Sequence, residues 1–155
     1  MDDPETPLTP ERVVHVLGMV PLVPEGGFVA ETWRDAGASS IHYLMAGSDV
    51  SGLHRLAHLE IWAWHAGAPA RMLLVSPEGE LTEPVLGVDL AAGERPQVVV
   101  PPGWWQACEP AGDWTLVSTF VAPPYTDDIV TFEGGAALAQ RYPAHAERIL
   151  RLARG

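Results

Sequence analysis

Residues 47–67 read GSDVSGLHRLAHLEIWAWHAG and predict two short strands, 50–54 and 60–65, joined by a turn. Side chains along a strand alternate between its two faces. One face of the second strand therefore carries a carboxylate and two indoles: Glu60, Trp62 and Trp64. The opposite face carries Ile61, Ala63 and His65. A carboxylate beside two indoles predicts the polar floor of an aromatic pocket.

The composition predicts one acidic domain. The chain has 155 residues, 47% of them hydrophobic, which is enough for a single continuous core. We expect a flexible N-terminal arm over residues 1–8 and one domain over residues 9–155. Asp and Glu number 20 against 9 Lys and Arg, giving a formal charge of −11. This charge disfavours nucleic acid and anionic membranes as partners, since both attract basic surfaces.

The sequence also predicts a cytoplasmic location. The N-terminal segment is acidic and polar and lacks the basic start and apolar stretch of a signal peptide. No apolar run approaches the roughly 20 residues that span a bilayer. Cys108 is the single cysteine, which excludes an intramolecular disulfide and a multi-cysteine zinc site.

Glycine and proline divide most of the chain into short strand-like runs. A helix is predicted to start at Pro10, with Thr9 as its N-cap, and to end by Val20. Strands are predicted at 28–34, 40–46, 50–54, 60–65, 70–76, 81–86, 97–100, 105–109 and 114–122. Two helical segments follow, 134–141 and 143–154, with Ile149, Leu150 and Leu152 as the docking side. Short strands at this spacing favour a mainly β sandwich or barrel.

Several segments together resemble a known family. The spacing Gly47, His54, Glu60, Gly67, followed by PPGWWQ at 101–106, resembles the two cupin motifs. More narrowly, the DUF985 group of cupins (cupin_5) is similar over residues 9–154, through PEGGFVAET at 24–32, EIWAWHAGAP at 60–69 and LGVDLAAGERPQVVVPPGWWQA at 86–107. The resemblance implies a double-stranded β-helix, the jelly-roll cupin barrel, with a short N-terminal helix and C-terminal helices. It also implies a homodimer and a small-molecule pocket in the barrel mouth.

The resemblance leaves the metal question open. Cupins that bind a metal carry HxHxxxE in the first motif and a further histidine in the second. Here His54 and Glu60 match, while Leu56 and Gln106 stand at the other two positions. This removes imidazoles that transition metals prefer, so no cofactor is favoured. The alternative is a divalent-metal site in which His58 replaces the missing histidine, with His54, His58, Glu60 and Gln106 as ligands.

Without a metal, His54 and Glu60 are the predicted catalytic acid–base pair. A histidine and a glutamate that face one apolar cavity can both titrate near neutrality. We expect isomerase, epimerase, dehydratase or cyclase chemistry without redox, with Gln106 orienting a substrate oxygen. The alternative is a cupin that binds a ligand without turnover.

The remaining predicted substrate contacts are Gln106, His58, Trp62, Trp64, Thr32, Glu31 and Trp104. Compared with the family pattern, a histidine, an arginine and an aromatic residue are replaced by Val23, Ala30 and Leu53. We expect these replacements to make the pocket roomier and less polar, and to favour a larger, mostly neutral organic substrate. The composition is compatible with specialised metabolism.

Overall fold

The computed structural model, which describes residues 6–153, folds the middle of the chain into short antiparallel strands between helical ends. The first helix and the strands are α1 Pro10–Val16, β1 Val20–Pro21, β2 Phe28–Arg34, β3 Ser39–Ala46, β4 Ser51–Leu56, β5 Leu59–Gly67, β6 Ala70–Val75, β7 Leu81–Thr82, β8 Val85–Leu86, β9 Gln97–Val100, β10 Trp105–Pro110, β11 Trp114–Ala122 and β12 Val130–Thr131. The C-terminal helices are α2 Gly135–Arg141 and α3 Ala146–Leu152.

The strands form two sheets with antiparallel pairing. The first sheet has the order β1-β2-β3-β11-β5-β9, and the second has the order β12-β4-β10-β6-β7 with β8 also paired to β6. Their inner faces share one apolar core, to which Met45, Trp62, Met72 and Cys108 contribute. This arrangement confirms the predicted mainly β jelly roll with short flanking helices.

The turn between β4 and β5 takes the chain from the second sheet to the first. Residues close in sequence therefore enter the interior from opposite walls. His54 lies on β4 beside its cross-strand partner Gln106 on β10, and Glu60 lies on β5 between Val100 and Val121.

The C-terminal helices cover the outer face of the second sheet. Ile149 and Leu152 are fully buried there, against Leu53 and Leu73 of the sheet. The prediction for Leu150 was wrong, because its side chain is 54% exposed on the opposite side of α3. A 3-10 turn at Pro143–His145 separates α2 from α3, as expected of a proline that cannot continue the preceding helix.

Other boundaries differ in detail from the predicted ones. Thr9 caps α1 by accepting a hydrogen bond from the Arg12 amide, but the helix ends at Val16, and Gly18 adopts a positive φ. The predicted run 81–86 is divided into β7 and β8. Residues 1–5 of the predicted arm and residue 154 of the last predicted helix lie outside the described residues. Within 6–153, no helix has the length and hydropathy required to cross a membrane.

Glu109 on β10 connects α3 to the second sheet through ion pairs with arginines of the helix. Its side chain is only 7% exposed and lies 2.7 Å from Arg151, 3.5 Å from Arg71 and 3.7 Å from Arg148. Burial alone would raise the pKa of Glu109, but the hydrogen bond from Arg151 and the three guanidinium charges lower it.

We predict that Glu109→Gln destabilises the protein by about 1–3 kcal/mol, because it removes the charged acceptor of the hydrogen bonds from Arg151. The loss is measured as the difference in unfolding free energy from wild type by urea denaturation. A carboxyl whose pKa is lower in the folded than in the unfolded protein stabilises the folded state when the pH is above the unfolded-state pKa. This contribution is lost as the pH falls through the folded-state pKa. The difference in unfolding free energy between wild type and Glu109→Gln should therefore be largest at neutral pH and should decrease on acidification.

Glu83→Gln is the control from the same network, since the Glu83 side chain is 42% exposed, although its partner Arg148 is partly buried and also lies near Glu109. Exposed pairs contribute about 0–1 kcal/mol. Equal losses for the two variants, or a loss from Glu109→Gln that does not depend on pH, would contradict the assigned role.

Candidate functional site

A cavity of about 900 Å³ opens between the two sheets at one end of the fold. Sheet residues form its walls, and the segments around Leu22 and Tyr125 form its rim. Its apolar lining includes Val29, Ile41, Leu56, Trp62 and Val121. Its polar lining includes Glu25, Tyr43, Ser51, His54, Glu60 and Thr119. A mainly apolar cavity with a few polar groups is typical of a small-molecule site.

The cavity brings His54 and Glu60 together. Both side chains line it, and they are 5% and 6% exposed. Alternation along β5 turns Glu60 and Trp62 inward from the first sheet, while alternation along β4 turns His54 inward from the second. The two groups therefore face the same cavity from opposite walls.

Gln106 links Glu60 to Trp62 from the opposite sheet. The Trp62 indole donates from Nε1 to Gln106 Oε1 at 2.8 Å, and Gln106 Nε2 donates to Glu60 Oε2 at 2.8 Å. An indole N–H can only donate, so it fixes which end of the amide faces the carboxylate. Because Oε2 accepts this bond, we expect a proton carried by Glu60 to reside on Oε1.

Gln106 was predicted to contact the substrate, and its geometry differs from that expectation. The side chain has no exposed surface, does not line the cavity and already bonds both neighbours. It positions Glu60.

Burial controls the protonation of Glu60. Desolvation raises the pKa of this carboxyl to about 7, against the lowering effect of the hydrogen bonds from Gln106 and Thr119, and Glu25 adds a smaller upward contribution. A carboxyl with a pKa in this range changes its protonation near neutral pH. It can therefore give or take a proton.

His54 is held as a neutral base. Its Nδ1 lies 2.7 Å from the Gly52 carbonyl oxygen, which can only accept, so Nδ1 carries the proton and Nε2 the free lone pair. Desolvation lowers the pKa of His54 despite the opposing effect of that bond. The ring lies 6.3 Å from that of Phe132, measured between centroids.

The other predicted contacts divide into residues at the cavity and residues away from it. Trp62 and Glu31 line it, Glu31 being bound to Arg34 at the rim. Trp64 does not, because it lies further along β5, where its Nε1 donates to the Ala68 carbonyl. Trp104 packs against the core between the sheets.

Thr32 and His58 also lie away from the cavity lining. Thr32 is the extra residue of a bulge between Glu31 and Trp33, which turns its side chain to solvent. His58 lies in the β4–β5 turn, with Nδ1 2.9 Å from the Pro123 carbonyl oxygen.

The three replacements noted in the sequence do not act together on the cavity. Ala30 lines it. Val23 is 83% exposed, and Leu53 is buried under the C-terminal helices on the far side of the second sheet. The expected gain of room therefore rests on Ala30 alone.

The donor set does not fit a metal centre of the cupin type. His54 and Glu60 face the cavity, but Leu56 offers no donor and the Gln106 amide is already used on both sides. His58 bonds a backbone carbonyl in the turn instead of approaching them. Among residues 6–153, no group of three His, Cys, Asp or Glu side chains is arranged to hold a metal ion.

Two jelly-roll sheets with a cavity at one end define this chain as a cupin by fold. It belongs to the Cupin_5 family of the cupin superfamily (DUF985), which matches residues 11–133. No protein with curated function matches the chain.

Solved structures support this assignment. A protein from Shewanella oneidensis is 37% identical, with a TM-score of 0.84 over 93% of this chain and 96% of the other. A hypothetical protein from Leishmania major is 26% identical, with a TM-score of 0.82 over 94% and 98% of the two chains. Oxalate decarboxylase from Bacillus subtilis, 14% identical, has a TM-score of 0.60 over 86% of this chain and 37% of its own, a likeness of fold alone.

Sequence reasoning missed Glu25, Tyr43 and Tyr125 as cavity residues. The available signal was the segment PEGG at 24–27, in which two glycines follow an acidic residue. Two glycines in succession permit a tight turn, and this turn places the carboxyl of Glu25 at the cavity.

We predict that Glu60 titrates near pH 7. Gln106→Leu should raise the Glu60 pKa further, because the Gln106 amide stabilises the carboxylate form and the variant removes that hydrogen bond. Carbon-13 NMR of the glutamate side-chain carboxyls measures both. The same variant should lose about 1–3 kcal/mol of stability, since the Trp62 N–H is left buried without an acceptor.

Gln97→Leu is the control, because Gln97 is exposed on β9. Titration of Glu60 in the ordinary range of a surface glutamate would refute the assignment, as would identical titrations in wild type and Gln106→Leu.

Proposed function

We propose that this cupin is a metal-independent acid–base enzyme that acts on a mostly neutral organic molecule, in an isomerase, epimerase, dehydratase or cyclase type of reaction. The observation that supports it most is a buried carboxyl with a pKa near neutrality in the same cavity as a neutral imidazole. Such a pair suits proton transfer without redox chemistry.

The geometry suggests how the two roles divide. Glu60 carries its proton on Oε1 and donates it to a carbonyl oxygen of the substrate. His54 accepts a proton from the neighbouring carbon at Nε2, since Nδ1–H is bound to Gly52. The products of this step are an enol, an imidazolium and a carboxylate, and reversal on the other face or at another carbon gives an isomer. Gln106 holds the carboxyl in place throughout.

The walls support the same substrate class. Apolar side chains and the Trp62 ring can enclose a hydrocarbon body and exclude water, which strengthens electrostatic interactions at the reacting atoms. The carboxylates of the lining disfavour an anionic substrate.

We predict that the protein catalyses exchange of α-carbon protons for deuterium in neutral cyclic ketones, and that Glu60→Gln and His54→Ala each lower the rate about 10²- to 10⁴-fold. Proton NMR in D₂O follows the exchange without knowledge of the natural product. Glu78→Gln, at an exposed position, is the control.

Melting temperatures of the variants separate chemistry from folding, and we expect them to stay close to that of wild type. Binding of the ketones without exchange in wild type would favour a ligand-binding cupin without turnover. Exchange that survives both cavity variants would place the chemistry elsewhere.

We also propose that two copies of the chain form a homodimer through the outer face of the first sheet. One row of residues crosses this face from strand to strand: Trp33, Ser40, Phe120, Ile61 and Val99. Trp33 is 59% exposed and Val99 51% exposed, whereas α1 packs near Leu44 further along the sheet. A row of exposed apolar side chains is typical of a protein–protein contact.

We predict that Val99→Asp with Phe120→Asp converts a dimer into a monomer, because it places charges in an apolar contact. Light scattering after size-exclusion chromatography measures the mass. Val88→Asp, at a similarly exposed valine outside this face, should leave the dimer intact. A monomeric wild type, or a dimeric double variant, contradicts this assembly.

A further inference from the structure

Glu25 is a buried carboxylate that the proposed proton transfer does not use. It lines the cavity and is only 7% exposed. Within residues 6–153, no lysine, arginine or histidine lies in ion-pair distance of it. Buried charges are costly unless they are paired, so this group calls for a partner that enters from the cavity.

A tight turn places Glu25 at the cavity. Its carbonyl accepts from the Gly52 amide of β4 at 2.8 Å, and the next carbonyl, of Gly26, accepts from the Tyr43 hydroxyl. Gly26 and Gly27 both have positive φ, and a Cβ at either would approach backbone oxygens of Val50 and Leu44 to 2.5 and 2.6 Å. The turn is therefore fixed to both sheets, and the position of the carboxylate is fixed with it.

The cavity as a whole carries uncompensated negative charge. Besides Glu25, its lining includes the carboxyls of Glu31, Glu60 and Asp127. The lining has one arginine, Arg34, whose guanidinium donates to Glu31 and to the Tyr125 carbonyl. Burial raises the pKa of Glu25 against the lowering effect of a hydrogen bond from its own backbone amide, and Asp127 adds a smaller upward contribution.

We propose that the ligand of this cavity carries a positively charged nitrogen, an ammonium or alkylammonium group on an otherwise apolar body, and that Glu25 binds it. The nitrogen supplies the charge that the lining lacks. Tyr43, Trp62 and Tyr125 line the same cavity, and aromatic faces also attract organic cations.

This inference rests on the proposed function for the location of the site and sharpens its substrate. The molecule is neutral where Glu60 and His54 act and cationic at the end that reaches Glu25. A charged anchor away from the reacting atoms would fix the substrate for proton transfer, in the way that remote binding contacts serve catalysis.

Three probes with the same ring and chain test the charge: 2-phenylethylammonium, 2-phenylethanol and phenylacetate. Isothermal titration calorimetry at neutral pH gives their dissociation constants. Wild type should bind the ammonium at least about tenfold more tightly than the alcohol, the effect of one charge-assisted contact, and the carboxylate most weakly. Glu25→Gln should remove the preference for the ammonium and leave the affinity for the alcohol unchanged.

Glu78→Gln is the matched control and should keep the wild-type preference. Asp127→Asn, at the exposed rim, should lower it by a smaller factor than Glu25→Gln. A further readout needs no variant: the ammonium probe should shift the carbon-13 resonance of the Glu25 carboxyl in wild type, and the alcohol should not.

Equal affinity of wild type for ammonium and alcohol overturns the proposal. An unmoved Glu25 resonance, or a preference retained in Glu25→Gln, does the same. These are equilibrium measurements without turnover. If the protein prefers the ammonium probe through Glu25 but catalyses no proton exchange, the proposed chemistry is refuted and the proposed cation site stands.

Discussion

The structure depends most on one chain of two hydrogen bonds that crosses the interior, from the Trp62 indole through the Gln106 amide to the Glu60 carboxyl. It joins the first sheet to the second at the floor of the cavity. Each of the three groups is polar and buried, and each would be costly to bury alone. Together they satisfy one another, with a further hydrogen bond from Thr119 to the carboxyl, and the fold can therefore hold Glu60 in an apolar interior.

That arrangement explains why the site combines rigidity with reactivity. Desolvation brings the Glu60 pKa to the range where a proton is easily exchanged, while the amide keeps the carboxyl from turning. His54, across the cavity, is kept neutral by the same lack of solvent. Glu25 is placed by a separate turn, which is hydrogen-bonded to Gly52 and Tyr43. In the proposed function, proton transfer and charged anchoring fall to different side chains of one cavity.

The sequence predicted those features that follow from local rules. Strand alternation correctly turned Glu60 and Trp62 inward, and glycine and proline spacing located most strands. Of Glu31 and Thr32, which the family resemblance placed near the pocket, only Glu31 lines it, because a bulge makes Thr32 an extra residue. Alternation also did not show that Trp64 lies too far along β5 to reach the cavity. The role of Gln106 depends on its hydrogen bonds to Trp62 and Glu60, which are 44 and 46 residues away in the sequence. No local pattern reveals contacts at such separations. Glu25 was missed because its burial comes from the way a turn docks on two sheets.

The central claim is that Glu60 holds a proton at neutral pH and donates it in the cavity. The pH dependence of kcat/KM for proton exchange measures this most directly, since it reports ionisations of the free enzyme. Because only protonated Glu60 can donate, the rate should fall as the pH rises through about 7. A rate that rises through this range, or that falls only near the ordinary pKa of a glutamate, would contradict the account.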